Sequence, residues 1–292
     1  MSDHESTFRR AVSTLRRDPL AVIGVVVLVV LVVVGVLGPW LAPYGTNDVD
    51  VDNMLAHPSA AHPFGTDELG RDVFSRVIVA ARVSLEVAVV SVGLALAVGV
   101  LIGLVAGYYR GWADNLLMRC MDVLFAFPVL LLAVAIVAVL GPGLLTAMVA
   151  IGVVYAPIFA RVTRASVLSV REQVFVRAAV SIGTSDARIM RRHVLPNIAA
   201  PLIVQTSLSL AFAILSEAAL SFLGLGVQPP APSWGRMLYD GRGFVTDAWW
   251  LGVFPGAAIF VTVLAFNLVG DALRDVLDPR QLTLSEARRS TR

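Results

Sequence analysis

Lysine is absent from this sequence, and all 23 basic residues are arginine. A P-loop needs its lysine to reach the nucleotide phosphates, so no standard P-loop ATPase is encoded here. A single cysteine, Cys120, excludes an internal disulfide and a cysteine-based metal cluster. It sits beside an apolar run and reads as packing. Charge of either sign is scarce. Only 15% of residues are charged and 57% are hydrophobic, with a mean hydropathy of +0.79. Soluble domains carry roughly 25% charged residues, so this is the composition of a membrane protein. His57 and His62 lie five apart in a proline-rich stretch and read as solvated side chains, and no metal site is assigned. No Ser-His-Asp set falls in one compartment with useful spacing. The Gly224-Leu-Gly226 string is too short for a nucleotide fingerprint. No catalytic residue is assigned.

What is present is a set of six long apolar runs, which predicts an all-α membrane protein. They cover 20–37, 84–107, 123–140, 144–160, 198–223 and 249–269. Runs of about this length cross a bilayer as helices. The first is rich in valine, but its length favours a span. It exceeds the usual signal-peptide core, and no A-x-A site follows, so it reads as retained. Before it, Phe8, Val12 and Leu15 recur at helical spacing and predict a short interfacial helix within 1–19. Small residues at Gly93, Gly99 and Gly103 suit close helix packing in lipid. Pro128 predicts a kink in the third span. The resulting division is 1–19 interfacial, 20–38 first span, 39–83 extracytoplasmic loop, 84–273 transmembrane core and 274–292 tail. The polar connections 38–81 and 224–248 are the candidate docking surfaces.

Arginine placement orients the chain. With the N-terminus in the cytoplasm, 18 of the 23 arginines fall on the inner side, leaving Arg71, Arg76, Arg82, Arg236 and Arg242 outside. Six spans then return the C-terminus to the cytoplasm.

Ionisable residues inside a membrane mark proton and ion relays. Glu86, Asp122, Glu217 and Asp271 all lie near span ends, and none is mid-span. This argues against a proton- or sodium-coupled carrier. Arg82 with Glu86, Arg119 with Asp122 and Asp271 with Arg274 are each about one helical turn apart and read as local anchors. Glu217 has no arginine within a turn. It reads either as an interfacial carboxylate or, with Ser221, as a cavity-facing acid of the translocation path or outer gate. Two classes remain: a subunit driven by a partner ATPase, or a passive channel.

The polar island between the fourth and fifth spans, within a loop of about 161–197, favours the first. It reads Arg177-Ala178-Ala179, then Gly183, then Asp186, Arg191, Arg192 and His193, then Leu195-Pro196. A helix through Ala179 can stop at Gly183. Thr184 or Ser185 can cap a second helix with Asp186 in its first turn and the basic residues in its last. Pro196 is expected to end that helix and start the next span. The residues alone leave open a plain basic loop without a partner.

This island resembles the EAA loop of binding-protein-dependent ABC importers: Glu-Ala-Ala, three residues, Gly, nine residues, Ile, one residue, Leu-Pro. Ala178, Ala179, Gly183, Leu195 and Pro196 match, while Arg177 replaces the Glu and His193 the Ile. Four further strings resemble the C-type permease subunits of dipeptide, oligopeptide and nickel importers. They are the Gly-Thr-Asp-Glu-Leu-Gly-Arg-Asp string starting at Gly65, the stretch from Arg119 to Pro128, the stretch from Glu217 to Pro230, and Asn267 to Asp271 with Asp278-Pro279-Arg280. The resemblance implies a type I ABC importer transmembrane fold, N-in and C-in, in the bacterial cytoplasmic membrane. It implies that the elbow 177–197 is a coupling helix that docks on an ATPase. The implied partners are a B-type permease subunit, one or two ABC ATPase subunits, an extracytoplasmic binding protein, membrane lipid and a peptide substrate, with no nucleic acid. No cofactor is expected on this chain, ATP and Mg being held by the ATPases. A nickel importer is the alternative that the resemblance leaves open.

Overall fold

A computed structural model describes residues 18–277 of the chain. The expected interfacial helix and the tail beyond Leu277 lie outside the described residues. Ten helices follow in order among those described: α1 (Pro19–Leu41), α2 (Val73–Tyr109), α3 (Gly111–Phe125), α4 (Val129–Leu140), α5 (Leu144–Arg171), α6 (Val174–Ser181), α7 (Asp186–Ile189), α8 (Ala199–Phe222), α9 (Trp234–Gly241) and α10 (Trp250–Leu277). Strands are absent from the described residues apart from an isolated bridge between Thr66 and Asp72. α1, α2, α5, α10 and the run Asp186–Phe222 are each long and apolar enough to span a membrane. α3 and α4 together are apolar enough to make a sixth, but they meet at 92°, the geometry of a broken span or a re-entrant pair. Phe127 precedes Pro128, and a residue before proline is forced out of the helical region. The expected kink is thus a sharp corner.

Several helices outrun the apolar runs that announce them. α2 begins at Val73, before the hydrophobic run, because Asp72 caps it by accepting the Ser75 N–H at 2.7 Å. Its first turns carry Arg76, which is buried and donates to the Thr46 carbonyl at 2.7 Å. At 37 residues α2 is about 55 Å long, against roughly 30 Å of bilayer hydrocarbon. α5 likewise continues past residue 160 to Arg171, so the first third of the expected 161–197 loop is helix.

α2 packs most extensively on α5. The contact runs along Gly99, Gly103 and Gly107, spaced four apart and so on one face. A Cβ on Gly99 would lie 2.5 Å from Phe159 Cβ, and one on Gly103 2.5 Å from the Ala160 carbonyl. The two backbones touch where no side chain intervenes. Gly93 faces open space and takes no part, contrary to the expectation that it would.

At the opposite end from the 177–197 island, the 65–72 string folds into a buried knot. Asp67 accepts the Leu69 and Arg71 amides at 3.0 and 2.9 Å, and the Arg71 guanidinium at 2.6 Å. Gly70 has φ +74°, and a Cβ there would lie 1.8 Å from the Asp50 carbonyl. The Trp250 indole ties α10 to this knot through the Thr66 carbonyl at 2.9 Å. The connection 224–248, expected as a polar loop, contains α9. This short helix lies against α8 and α10, with the Trp234 indole donating to the Val77 carbonyl at 3.0 Å.

Gly103→Ala should destabilise the purified protein in detergent by about 1–3 kcal/mol, since the extra carbon has nowhere to go. Gly93→Ala should change stability by less than about 0.5 kcal/mol. Thermal unfolding of the two variants side by side measures the difference.

Candidate functional site

The arginine-rich island folds as an elbow built from α6, α7 and the irregular turns that follow. α6 ends in a reciprocal pair: Thr184 N–H donates to the Ala179 carbonyl at 3.1 Å, and Gly183 N–H to the Val180 carbonyl at 2.9 Å. Gly183 has φ +77°, the left-handed cap that this bonding pattern requires. Ser185 stands at the start of α7, but its hydroxyl makes no cap bond. The expected stop at Pro196 is not what the chain does. Met190–Val194 forms a π turn and Leu195–Ile198 a 3-10 turn, and these join α7 to α8 as one helical run. Leu195 N–H reaches back five residues to the Met190 carbonyl, a register that absorbs the donor Pro196 lacks.

Val176, Ala179, Ile189, Val194 and Ile198 are buried towards the spans. Away from these, Val174 is exposed at 83% and Ile182 at 81%, with Phe175 on the same side of α6, while Val180 is exposed on its other flank. Arg177, Ala178, Arg188, Arg191, Arg192, Leu195 and Pro196 are exposed as well. Exposed apolar side chains among exposed arginines are the composition of a protein-docking patch. Reading the sequence for its arginines alone passes over these apolar side chains. The signal was present, because α6 carries more apolar residues than one buried face of a two-turn helix can use.

The elbow is latched to the junction of α2 and α3. The Tyr108 hydroxyl donates to Asp186 Oδ1 at 2.8 Å, and Arg171 donates to the Tyr108 carbonyl at 2.7 Å. Glu172 bridges two arginines: Oε1 accepts from Arg110 at 2.8 Å, and Oε2 accepts from Arg177. Arg110 holds φ +58° and ψ −162°, a region otherwise nearly confined to glycine and costing about 1–3 kcal/mol in other residues. Arg177 and then Arg110 hold the Glu172 carboxyl below its ordinary range. A cavity of about 470 Å³ lies under the latch, between Tyr108, Arg171 and Val180.

Glu217 and Ser221 sit near the far end of α8, away from the elbow. The reading of Glu217 as cavity-facing needs correction. It is 1% exposed, accepts from the Ser221 hydroxyl at 2.8 Å, and has the Ser84 hydroxyl at 3.4 Å. Ser221 also accepts the Val227 amide at 3.1 Å. The enclosure follows from α9. A Cβ on Gly235 would lie 2.6 Å from Ala218 Cα, so α9 can lie flat on α8 and seal the carboxyl beneath it. Glu217 and Ser221 therefore knit α2, α8 and the α9 connection together.

The local anchors also resolve differently. Asp122 pairs with Arg161 across helices at 2.7 Å, not with Arg119. Arg82 with Glu86, and Asp271 with Arg274, form no ion pair with each other. Among the described residues no three His, Cys, Asp or Glu side chains are grouped to hold a metal. His62 faces Asp72 Oδ1 at 2.9 Å, and His57 packs on the Trp250 ring at 4.7 Å.

Residues 99–283 match the family described as binding-protein-dependent transport system inner membrane component. Residues 6–58 match the N-terminal transmembrane domain of oligopeptide transport permease C. The chain is 46% identical over 275 residues to the dipeptide transport system permease protein DppC of Alkalihalophilus pseudofirmus, covering 94% of this chain and 90% of that one. It is 48% identical over 266 residues to the glutathione transport system permease protein GsiD of Escherichia coli O157:H7, covering 91% and 88%. Among solved structures, an inward-facing conformation of the MetNI methionine ABC transporter superposes with a TM-score of 0.58 at 18% identity, covering 70% of this chain and 96% of that chain. That likeness shows the fold.

Because Glu172 has a folded-state pKa below its unfolded value, its tie is complete above the unfolded pKa and is lost only as pH falls through the folded one. The latch is therefore intact at neutral pH. There, Glu172→Gln should free Arg177 and speed tryptic cleavage after it several-fold. With no lysine in the chain, the arginine fragments resolved by mass spectrometry report the elbow directly.

Proposed function

The chain belongs to the family of binding-protein-dependent transport system inner membrane components, and on that premise we propose that it is the C-type permease subunit of an ATP-driven importer of di- and oligopeptides. It is a multi-pass protein of the bacterial inner membrane with the type I ABC importer transmembrane fold. The observation that carries the substrate is kinship over about nine-tenths of the chain with permeases whose names specify a dipeptide and glutathione.

In this reading the elbow lies in the cytoplasm, as do both termini, which the distribution of arginines supports. The exposed apolar side of α6, with Val174, Phe175 and Ile182, docks on an ABC ATPase subunit, which binds and hydrolyses ATP with Mg. A B-type permease subunit completes the pathway. A binding protein delivers peptide at the knot end. The buried part of the knot from Thr66 to Arg76 gives it rigidity, leaving Val49, Val51 and Met54 exposed for docking. ATP binding favours one state of the ATPase pair, and the elbow ties that state to one arrangement of the spans. The latch through Tyr108, Glu172 and Asp186 makes the elbow and α2 move together.

Reconstitution of the four-part system in liposomes tests this. ATP-dependent uptake should be supported by di- to pentapeptides presented on the binding protein, and not by nickel. Uptake of nickel alone would overturn the substrate while keeping the architecture. Gly183→Val should lower uptake per ATP hydrolysed at least several-fold. A Cβ there meets nothing within 4 Å, so the effect would come from the left-handed backbone that valine resists. Val174→Asp should abolish co-purification of the ATPase subunits, whereas charge reversal at Arg191 and Arg192 on the rim should weaken it less.

A further inference from the structure

A second group of charges lies on the elbow side of the spans, between α3 and α5. α3 starts at Gly111, directly after the latch residues Tyr108 and Arg110, and α5 passes it on the way to Arg171. An open cavity of about 450 Å³ between them is lined by Asp114, Asn115, Arg119, Asp122, Arg161 and Arg164. Two of these charges are spent on holding the helices together. Arg164 donates to both oxygens of Asp114, at 2.5 and 2.7 Å, and the Asp114 side chain is only 11% exposed.

The other three are differently disposed. Arg161 gives one N–H to Asp122 at 2.7 Å, and its guanidinium lies 4.0 Å over the Phe125 ring. Arg161 and Asp122 are 39% and 49% exposed, so this pair opens onto the cavity. Arg119 is exposed one turn before Asp122 and has no ion-pair partner among the described residues. Three guanidiniums face two carboxylates, which leaves the cavity with one positive charge uncompensated. Two planar forks with free N–H groups, presented from two helices, suit a carboxylate, which guanidinium holds bidentately.

We propose that this cavity holds the C-terminal carboxylate of a translocating peptide between Arg119 and Arg161, an inference that rests on the peptide reading above. The terminal carboxylate is the acceptor that peptides of every sequence share, so a site that reads it ignores side chains. Its half-exposed, already paired arginine binds weakly, and a transported solute must be able to leave.

The test uses the reconstituted complex with its binding protein and two probes, alanyl-alanine and its C-terminal amide. The ratio of their uptake rates within each variant, compared with wild type, cancels whatever the binding protein prefers. Arg119→Gln should reduce the preference for the free carboxylate about tenfold. Arg119→Lys should restore part of it. Asn115→Asp, which adds a negative charge to the same cavity, should reduce it as well, and it provides an independent readout should Arg119→Gln fail to assemble. An unchanged ratio in these variants overturns the proposal. So does a change that appears only in vesicles containing anionic lipid, because the oxyanion would then be a lipid headgroup. If the wild-type complex imports neither probe, the peptide reading itself fails and takes this inference with it. If it imports both with variant-independent ratios, the peptide reading stands and only the site is wrong.

Discussion

The close approach of α2 and α5 is the constraint on which the rest of the molecule depends. In lipid there is no hydrophobic gain in bringing two apolar helices together, so association rests on van der Waals contact and hydrogen bonding. Gly99, Gly103 and Gly107 let the α5 backbone come within contact of the α2 backbone. Everything functional is indexed to that seam. It sets Arg161 and Arg164 opposite α3, and it brings Tyr108 and Arg110, just past the last glycine of the stripe, up to Arg171, Glu172 and the elbow.

Charge is used sparingly and across helices. The Arg164–Asp114 and Arg161–Asp122 pairs join α5 to α3, and the Glu172 bridge joins the α2–α3 junction to α6. At the other end Asp67 gathers Arg71 and approaches Arg76, while Glu217 is surrounded by serine hydroxyls. A buried charge without partners would be costly. The pairs between helices each mark a place where two elements must keep a fixed relation. Few such residues serve both ends of the molecule, which is how a chain with so little charge can still be held in one arrangement.

Much of the fold is legible from hydropathy alone. Five of the six apolar runs lie in helices long enough to cross, the run 123–140 is split by the corner at Pro128, and Gly183 became the cap. The failures share a cause: hydropathy reports where lipid lies, not where a helix ends. α2 and α5 run on beyond the lipid because polar side chains such as Arg76 and Arg164 find partners within the protein. Pro196 looks like a helix terminator, yet a π turn ahead of it reorganises the bonding so that the missing donor is not missed. Arg119 and Asp122 are one turn apart in sequence, but the carboxylate turns to Arg161 on α5, a partner that only tertiary packing supplies. Glu217 stands out in the sequence for its lack of a nearby arginine, but the helix that buries it, α9, lies in a stretch that reads as a proline-rich loop.

The length of α2 has a mechanical consequence. Its tightest contact with α5 centres near Gly103, six residues from one end of the helix and thirty from the other. At about 1.5 Å per residue, a stiff helix pivoting there has arms of about 9 and 45 Å. A tilt that moves the elbow end by a given amount sweeps the knot end roughly five times as far. The glycine seam is thus an off-centre fulcrum, and the bonds of Arg76, Val77 and Ser84 far out on the long arm oppose any tilt about it with the greater leverage.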